Sequence, residues 1–126
     1  MYSIQEVSQK TGLTAHTLRF YEKEGLLGSV ERSESGFRQY TDDDLEVLGG
    51  ICCLKNTGMS LREIARFLEL SREGDQTLRQ RVDLLEVHRN KVLAQMEQMQ
   101  THLDKVTRKL NYYTEKLRAY EGPERD

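Results

Sequence analysis

From Leu78 to Tyr120 the apolar residues recur at steps of four and three without a break: Leu78, Val82, Leu85, Val92, Met96, Met99, Leu103, Val106, Leu110, Tyr113, Leu117 and Tyr120, with Arg89 the one polar member of the series. Alternating steps of this kind lay one apolar stripe along a single long helix, the pattern of a coiled-coil seam. At 1.5 Å per residue the stripe runs for roughly 64 Å. Folded back on a small domain of its own chain, such a helix would leave much of the seam wet. A second copy of the chain covers it most simply, so the expectation is a homodimer held by Val82, Leu85, Val92, Met96, Met99, Leu103, Val106, Leu110, Tyr113 and Leu117. These positions alone leave parallel and antiparallel pairing open.

A 37% apolar fraction is low for one compact globule, and it fits a chain whose longest element buries only a stripe. Charge gives no sign of a nucleic-acid magnet: the stretch through Asp75 carries a net charge of −4 and the remainder +2. The chain starts Met1-Tyr2-Ser3-Ile4-Gln5-Glu6, without the basic-then-apolar layout of a secretory signal, and holds no apolar run of membrane-spanning length. A cytoplasmic protein without membrane contact is expected. The two cysteines, Cys52 and Cys53, are adjacent and have no third partner, so no disulfide scaffold is built from them.

Ahead of the long helix the sequence is punctuated by caps. Ser3-Ile4-Gln5-Glu6 has the form of a capping box and opens a short helix to about Lys10. Gly12 suits a left-handed exit and Thr14 caps a second helix, which carries Leu18 and Tyr21 and ends at Gly25. Two short helices with a turn of this length make a helix-turn-helix candidate. Between Leu26 and Tyr40 the helical period disappears, and glycines and serines interleave with Val30, Phe37 and Tyr40 as in a short hairpin or wing. Thr41 with Asp42, Asp43 and Asp44 opens a third helix to about Thr57, its acids placed where the helix dipole favours them. Ser60-Leu61-Arg62-Glu63 repeats the capping-box form and opens a fourth helix to about Leu70. The expected fold is mainly α: a winged helix-turn-helix domain over residues 1–70, a linker over 71–75, a dimerisation helix over 76–120 and a tail over 121–126.

Catalysis has little to stand on. His16, His88 and His102 are far apart in sequence, and no phosphate loop or nucleophile elbow occurs. No enzyme, cofactor or metal site is expected. The second helix is more informative. It sets His16 and Thr17 near its start, where a recognition helix meets base edges, followed by Arg19 and Tyr21 with phosphate-binding chemistry. A helical module whose Arg19 is only a solvated charge stays open on this stretch alone.

Five motifs then carry a resemblance: Tyr2-Ser3-Ile4-x-Glu6-Val7; Thr17-Leu18-Arg19-Phe20-Tyr21-Glu22 with Gly25-Leu26-Leu27; Gly36-Phe37-Arg38-x-Tyr40; Asp44-Leu45; and Gly58-Met59-Ser60-Leu61-x-Glu63-Ile64. In order and spacing they resemble the amino-terminal domain of the MerR family of transcription regulators over about residues 1 to 70. The resemblance implies a dimer joined by an antiparallel coiled coil, which binds a two-fold-related operator in double-stranded promoter DNA. It further implies that the dimer distorts that DNA so that RNA polymerase meets realigned promoter elements, shape work with a share of indirect readout. By the same resemblance His16, Thr17 and Arg19 would face the major groove, Phe20, Tyr21 and Lys55 would lie along phosphates, and Arg38 and Tyr40 would belong to the wing. Phe20 stands where the family often has Tyr, so the hydroxyl contact the resemblance would imply there is missing.

Asp42, Asp43, Asp44 and Glu46 should repel a phosphate backbone, so they must point away from it, and a local basic stripe of Arg19, Arg38, Lys55 and Arg62 is expected to do the binding. After the long helix too few residues remain for a ligand-binding domain, and no Cys follows Cys53 to supply the thiolate site of metal-sensing members. On a third helix whose stripe is Leu45, Leu48 and Ile51, Cys53 is rotated farther from the stripe than Cys52. Two readings stay open for it: a small buried hydrophobe, or a sensor thiol for aldehydes and other electrophiles, as the resemblance to the compact stress-responsive branch implies. The alternatives to a thiol-responsive regulator are one with a non-cysteine signal, and a coiled-coil interaction protein without DNA binding.

Overall fold

The computed structural model describes residues 1–122. Its elements are α1 (Ile4–Thr11), α2 (Ala15–Lys23), β1 (Glu31–Arg32), β2 (Arg38–Gln39), α3 (Asp42–Asn56), α4 (Leu61–Glu73), a single 3-10 turn (Asp75–Thr77) and α5 (Leu78–Glu121). The chain divides into two units, Met1–Leu85 and the stretch from Glu86 onward. Of the expected tail, the residues from 123 on lie outside the described residues.

The caps act where their residue types put them. Ser3 and Glu6 form the reciprocal capping box of α1, and Thr41 and Asp44 form another at the start of α3. Thr14 accepts from the Thr17 N–H at the start of α2. At α4 the Ser60 hydroxyl accepts from the Glu63 N–H, while the Glu63 carboxylate turns to the Ser60 hydroxyl at 3.1 Å, so this cap is built around the hydroxyl. Helix α2 stops at Lys23, two residues before the expected end, and Gly25 at φ +76° turns the chain back under the helix so that the Leu26 N–H reaches the Tyr21 carbonyl.

Helix α4 runs three residues past the expected end, so Ser71, Arg72 and Glu73 are helical and the break narrows to Gly74 and the 3-10 turn. Two contacts account for the extension. Leu70 is buried, and the Arg72 guanidinium donates to the Gly25 carbonyl at 2.7 Å from across the module. The junction to α5 is organised by Thr77, whose buried hydroxyl donates to the carbonyls of Leu70 (2.6 Å) and Gly74 (2.8 Å) and accepts from Arg81 Nε at 3.1 Å. Arg81 also donates to the Gly74 carbonyl at 3.0 Å.

One core serves the first unit. Val7 of α1, Leu18 and Tyr21 of α2, Leu26, Leu27 and Val30 of the connection, Tyr40, Leu48 and Ile51 of α3, Met59, and Ile64 of α4 pack together. The wing is a two-stranded antiparallel hairpin pairing Glu31 with Gln39 and Arg32 with Arg38. Its base is fastened by backbone bonds between Tyr2 and Tyr40, 2.8 Å in both directions, and by the Tyr2 hydroxyl donating to Asp42 at 2.8 Å. That bond holds the Tyr2 phenol above its ordinary ionisation range.

Helix α5 is continuous over 44 residues, about 66 Å at the standard rise, and none of its residues is buried. The apolar stripe of α5 is uncovered: Leu78, Val82, Leu85, Met96, Met99, Leu103, Val106, Leu110, Tyr113, Leu117 and Tyr120 are all exposed, and Val92 is half-buried. No helix among the described residues is long and apolar enough to cross a membrane.

Candidate nucleic-acid interface

Leu18 and Tyr21, three apart on α2, point into the core and so fix which residues of the helix face outward. His16, Arg19 and Phe20 are exposed, and Thr17 is half-buried with its hydroxyl accepting from that of Thr14 at 3.0 Å. Thr17 therefore also serves the cap of its own helix.

Arg19 faces a groove of 480 Å³ whose other walls are the start of α1 (Ser3, Ile4, Gln5) and the wing (Arg32, Gly36, Phe37, Arg38). Three arginines thus line one concave surface, with Phe37, 74% exposed, at its wing side. Glu22 of α2 is hydrogen-bonded to one of them, its Oε2 accepting from Arg38 Nε at 2.5 Å, and its Oε1 lies 3.8 Å from Arg32, close enough for charge attraction only. On the other flank of α2, Phe20 and Arg62 line a second, smaller depression with Glu24, Leu26, Leu61 and Ala65. Lys55 donates to the Tyr21 hydroxyl at 3.5 Å. The structure thus brings Arg19 together with Arg38, and Phe20 with Arg62.

Tyr21, expected along the phosphates, and Tyr40, expected in the wing, are both core residues. Tyr21 is 1% exposed and Tyr40 0%, because Tyr21 follows Leu18 by one helical turn and Tyr40 is pinned by its backbone bridge to Tyr2. The Tyr40 hydroxyl has no hydrogen-bond partner among the described residues, and burial, helped by the charge of Glu22, pushes its ionisation up. Arg32, Gln5 and Phe37 were missed by sequence reasoning. Their signal lies in the wing register and in the approach of α1, neither of which a Gly- and Ser-rich segment discloses.

Cys53 is exposed and Cys52 half-buried on α3, as the helical spacing from Ile51 requires. The acids at the start of α3 are divided: Asp42 accepts from Tyr2 and Asp44 from the Thr41 N–H, while Asp43 and Glu46 border an apolar groove of 390 Å³ between α3 and α4, floored by Ile51, Leu54, Ile64 and Leu68. None of the residues lining that groove lines the arginine groove.

A capped helix-turn-helix whose second helix presents an arginine beside an arginine-bearing wing defines a winged helix-turn-helix module of the class that docks on nucleic acid. Comparison with known sequences narrows the class. Residues 2–71 match the model of the MerR HTH family regulatory proteins, and residues 45–108 match the model described as MerR, DNA binding. The chain belongs to the MerR family of transcription regulators. It is 45% identical over 112 residues to an HTH-type transcriptional regulator of Haemophilus influenzae, covering 89% of this chain and 83% of the relative. Among solved structures it is similar to HiNmlR, a MerR family regulator lacking the sensor domain, bound to promoter DNA, at a TM-score of 0.82 with 44% identity and 90% of each chain covered. A MerR family transcriptional regulator from Bacillus thuringiensis aligns with a TM-score of 0.79 and 35% identity, over 89% of this chain and 98% of that one.

Proposed function

We propose that this regulator acts as a cytoplasmic homodimer on double-stranded promoter DNA, each protomer setting α2 in a major groove and the wing on the flanking backbone. The observation that carries the reading is the groove shared by Arg19 of α2 with Arg32 and Arg38 of the wing, which offers three cationic side chains to phosphate. His16 and Thr17 lie at the start of α2, where base edges are read, and Arg19 follows one turn on. Phe20, Lys55 and Arg62 extend the contact along the backbone on the other flank. Similarity to a regulator bound to promoter DNA supports this docking.

The bare seam of α5 supports dimerisation, because so long an apolar stripe is stable in water only when covered. Antiparallel pairing would set the two DNA-binding modules apart on one face of the duplex. Bending and untwisting the promoter would then present it to RNA polymerase, the last partner in this reading. For the signal, Cys53 is an exposed thiol on α3. Its thiolate adds to the electrophilic carbon of a small aldehyde or enal, forming a carbon–sulfur bond while the displaced electron pair takes up a proton from water.

The test is fluorescence anisotropy with a duplex enriched from a random library on the wild-type protein. Arg19→Ala with Arg38→Ala weakens binding by at least tenfold and flattens its salt dependence. Near-wild-type binding by this double variant refutes the interface. Sedimentation of Leu103→Lys tests the dimer: a shift to monomer is expected, and an unchanged mass overturns it.

A further inference from the structure

The wing register sets Arg32 directly opposite Arg38. Like charges facing each other across an antiparallel ladder repel, and a hairpin with two-residue strands has few ladder bonds to resist the repulsion. One acid answers both cations. The two oxygens of the Glu22 carboxylate are divided between them, Oε2 to Arg38 and Oε1 to Arg32. Glu22 sits on α2, three residues after Arg19, so its hydrogen bond to Arg38 ties the helix that carries Arg19 to β2, while Arg32 of β1 feels it through charge alone.

The three arginines of the groove are not equivalent in consequence. Arg19 is exposed and makes no salt bridge among the described residues, whereas Arg38 and Glu22 are mostly shielded, with side chains 23% and 19% exposed. Glu22 is absent from the lining of the groove but holds two residues that form it. An arginine held through Nε keeps its remaining N–H groups for a phosphate, in a direction fixed by the carboxylate behind it. Its charge is also partly neutralised, so it gains little from a phosphate arriving at any other place.

We propose that Glu22 is a specificity-determining residue for DNA binding: it orients Arg38 and damps the attraction of Arg38 and Arg32 for phosphates that are not presented in the operator's geometry. On arbitrary DNA the groove then behaves as if it held fewer cations, while on the operator all three guanidinium groups are engaged. The inference rests on the DNA-binding reading above, and its test separates the two.

The full-length protein is titrated, over a range of salt, against the enriched duplex and against a random-sequence duplex. In Glu22→Gln the side chain keeps its shape and loses its charge. Affinity for random DNA at low salt should rise about tenfold, and the slope of log K against log salt should steepen by about 0.9 per protomer, one additional phosphate contact. Affinity for the enriched duplex should change by less than about threefold, so discrimination falls by several-fold. Glu22→Asp, which keeps the charge, should retain the wild-type salt slope. Unchanged slope and discrimination in Glu22→Gln overturn the proposal, as does an equal loss on both duplexes that Glu22→Asp does not rescue, since that marks a structural brace only. Wild-type protein that fails to prefer the enriched duplex would sink the DNA reading itself, and this inference with it.

Discussion

Replacing Thr77 by Val should cost the protein about 2 kcal/mol of stability. The residue is 3% exposed, and its hydroxyl replaces the helical N–H that the Leu70 carbonyl would otherwise meet at the end of α4. Valine fills nearly the same volume and keeps one methyl in place, so packing is conserved and the change isolates the hydrogen bonds. The Gly74 carbonyl retains the Thr77 N–H at 3.1 Å and Arg81 at 3.0 Å, and so is not orphaned. The Leu70 carbonyl loses the hydroxyl, and a buried unsatisfied acceptor costs about 1–3 kcal/mol. Arg81 Nε loses its acceptor as well, but this side chain is only half-buried and water replaces the bond at little cost. With urea m-values of about 1–3 kcal/mol per molar, the midpoint should fall by roughly 1 M, read by circular dichroism at one fixed protein concentration because any oligomer couples stability to concentration. Thr77→Ser keeps the hydroxyl and removes a methyl, so it should cost under about 1 kcal/mol. If Ser destabilises as much as Val, the hydroxyl is not what holds the junction and the reasoning fails.

The remaining expectations are simpler. Tyr40→Phe removes a buried hydroxyl without a partner and should raise stability by about 1 kcal/mol in the same urea assay; a loss would mean the hydroxyl is satisfied. Glu6, whose carboxyl is held below the ordinary 4.5 by the Ser3 N–H and hydroxyl, stabilises the fold above that pH and loses its contribution as pH falls through its lower folded value. The gap in urea midpoint between wild type and Glu6→Gln should therefore be full near neutrality and close in acid, and a gap that widens in acid contradicts the assignment. Gly25→Ala meets open space but is forced to φ +76°, so it should cost about 1–2 kcal/mol from backbone strain alone; a neutral result would show that the turn relaxes.

The parts of the fold that were legible are those encoded locally. Ser3, Thr14, Thr41 and Ser60 mark helix starts because a hydroxyl that satisfies a free N–H needs only its own next three residues. The seam of α5 was legible for the same reason, since helical period is a local property. The end of α4 was not. It depends on Arg72 reaching Gly25, and a bond spanning 47 positions leaves no trace in periodicity. In the site, Arg19 and Arg38 could be named by residue type, but Arg32 joins them only through the wing register. The burial of Tyr21 and Tyr40 could not be read from residue type, because tyrosine suits phosphate and core alike. For Tyr21 the three-residue spacing from Leu18 already pointed inward, whereas Tyr40 needed the bridge to Tyr2.

The wing is fastened at its root and loose at its tip. Tyr2 grips Tyr40, Glu22 grips β2 through Arg38, and the Ser33 hydroxyl accepts from the Phe37 N–H, while Glu34, Ser35 and Gly36 stand exposed between them. Gly36, at φ +86°, is held to glycine by the turn, but mutations at Glu34 and Ser35 can accumulate without unfolding anything, so a lineage carrying this module has a short stretch in which to explore new flanking sequences while its anchor stays fixed. The same stretch is where a library should be placed by anyone wishing to retarget the protein.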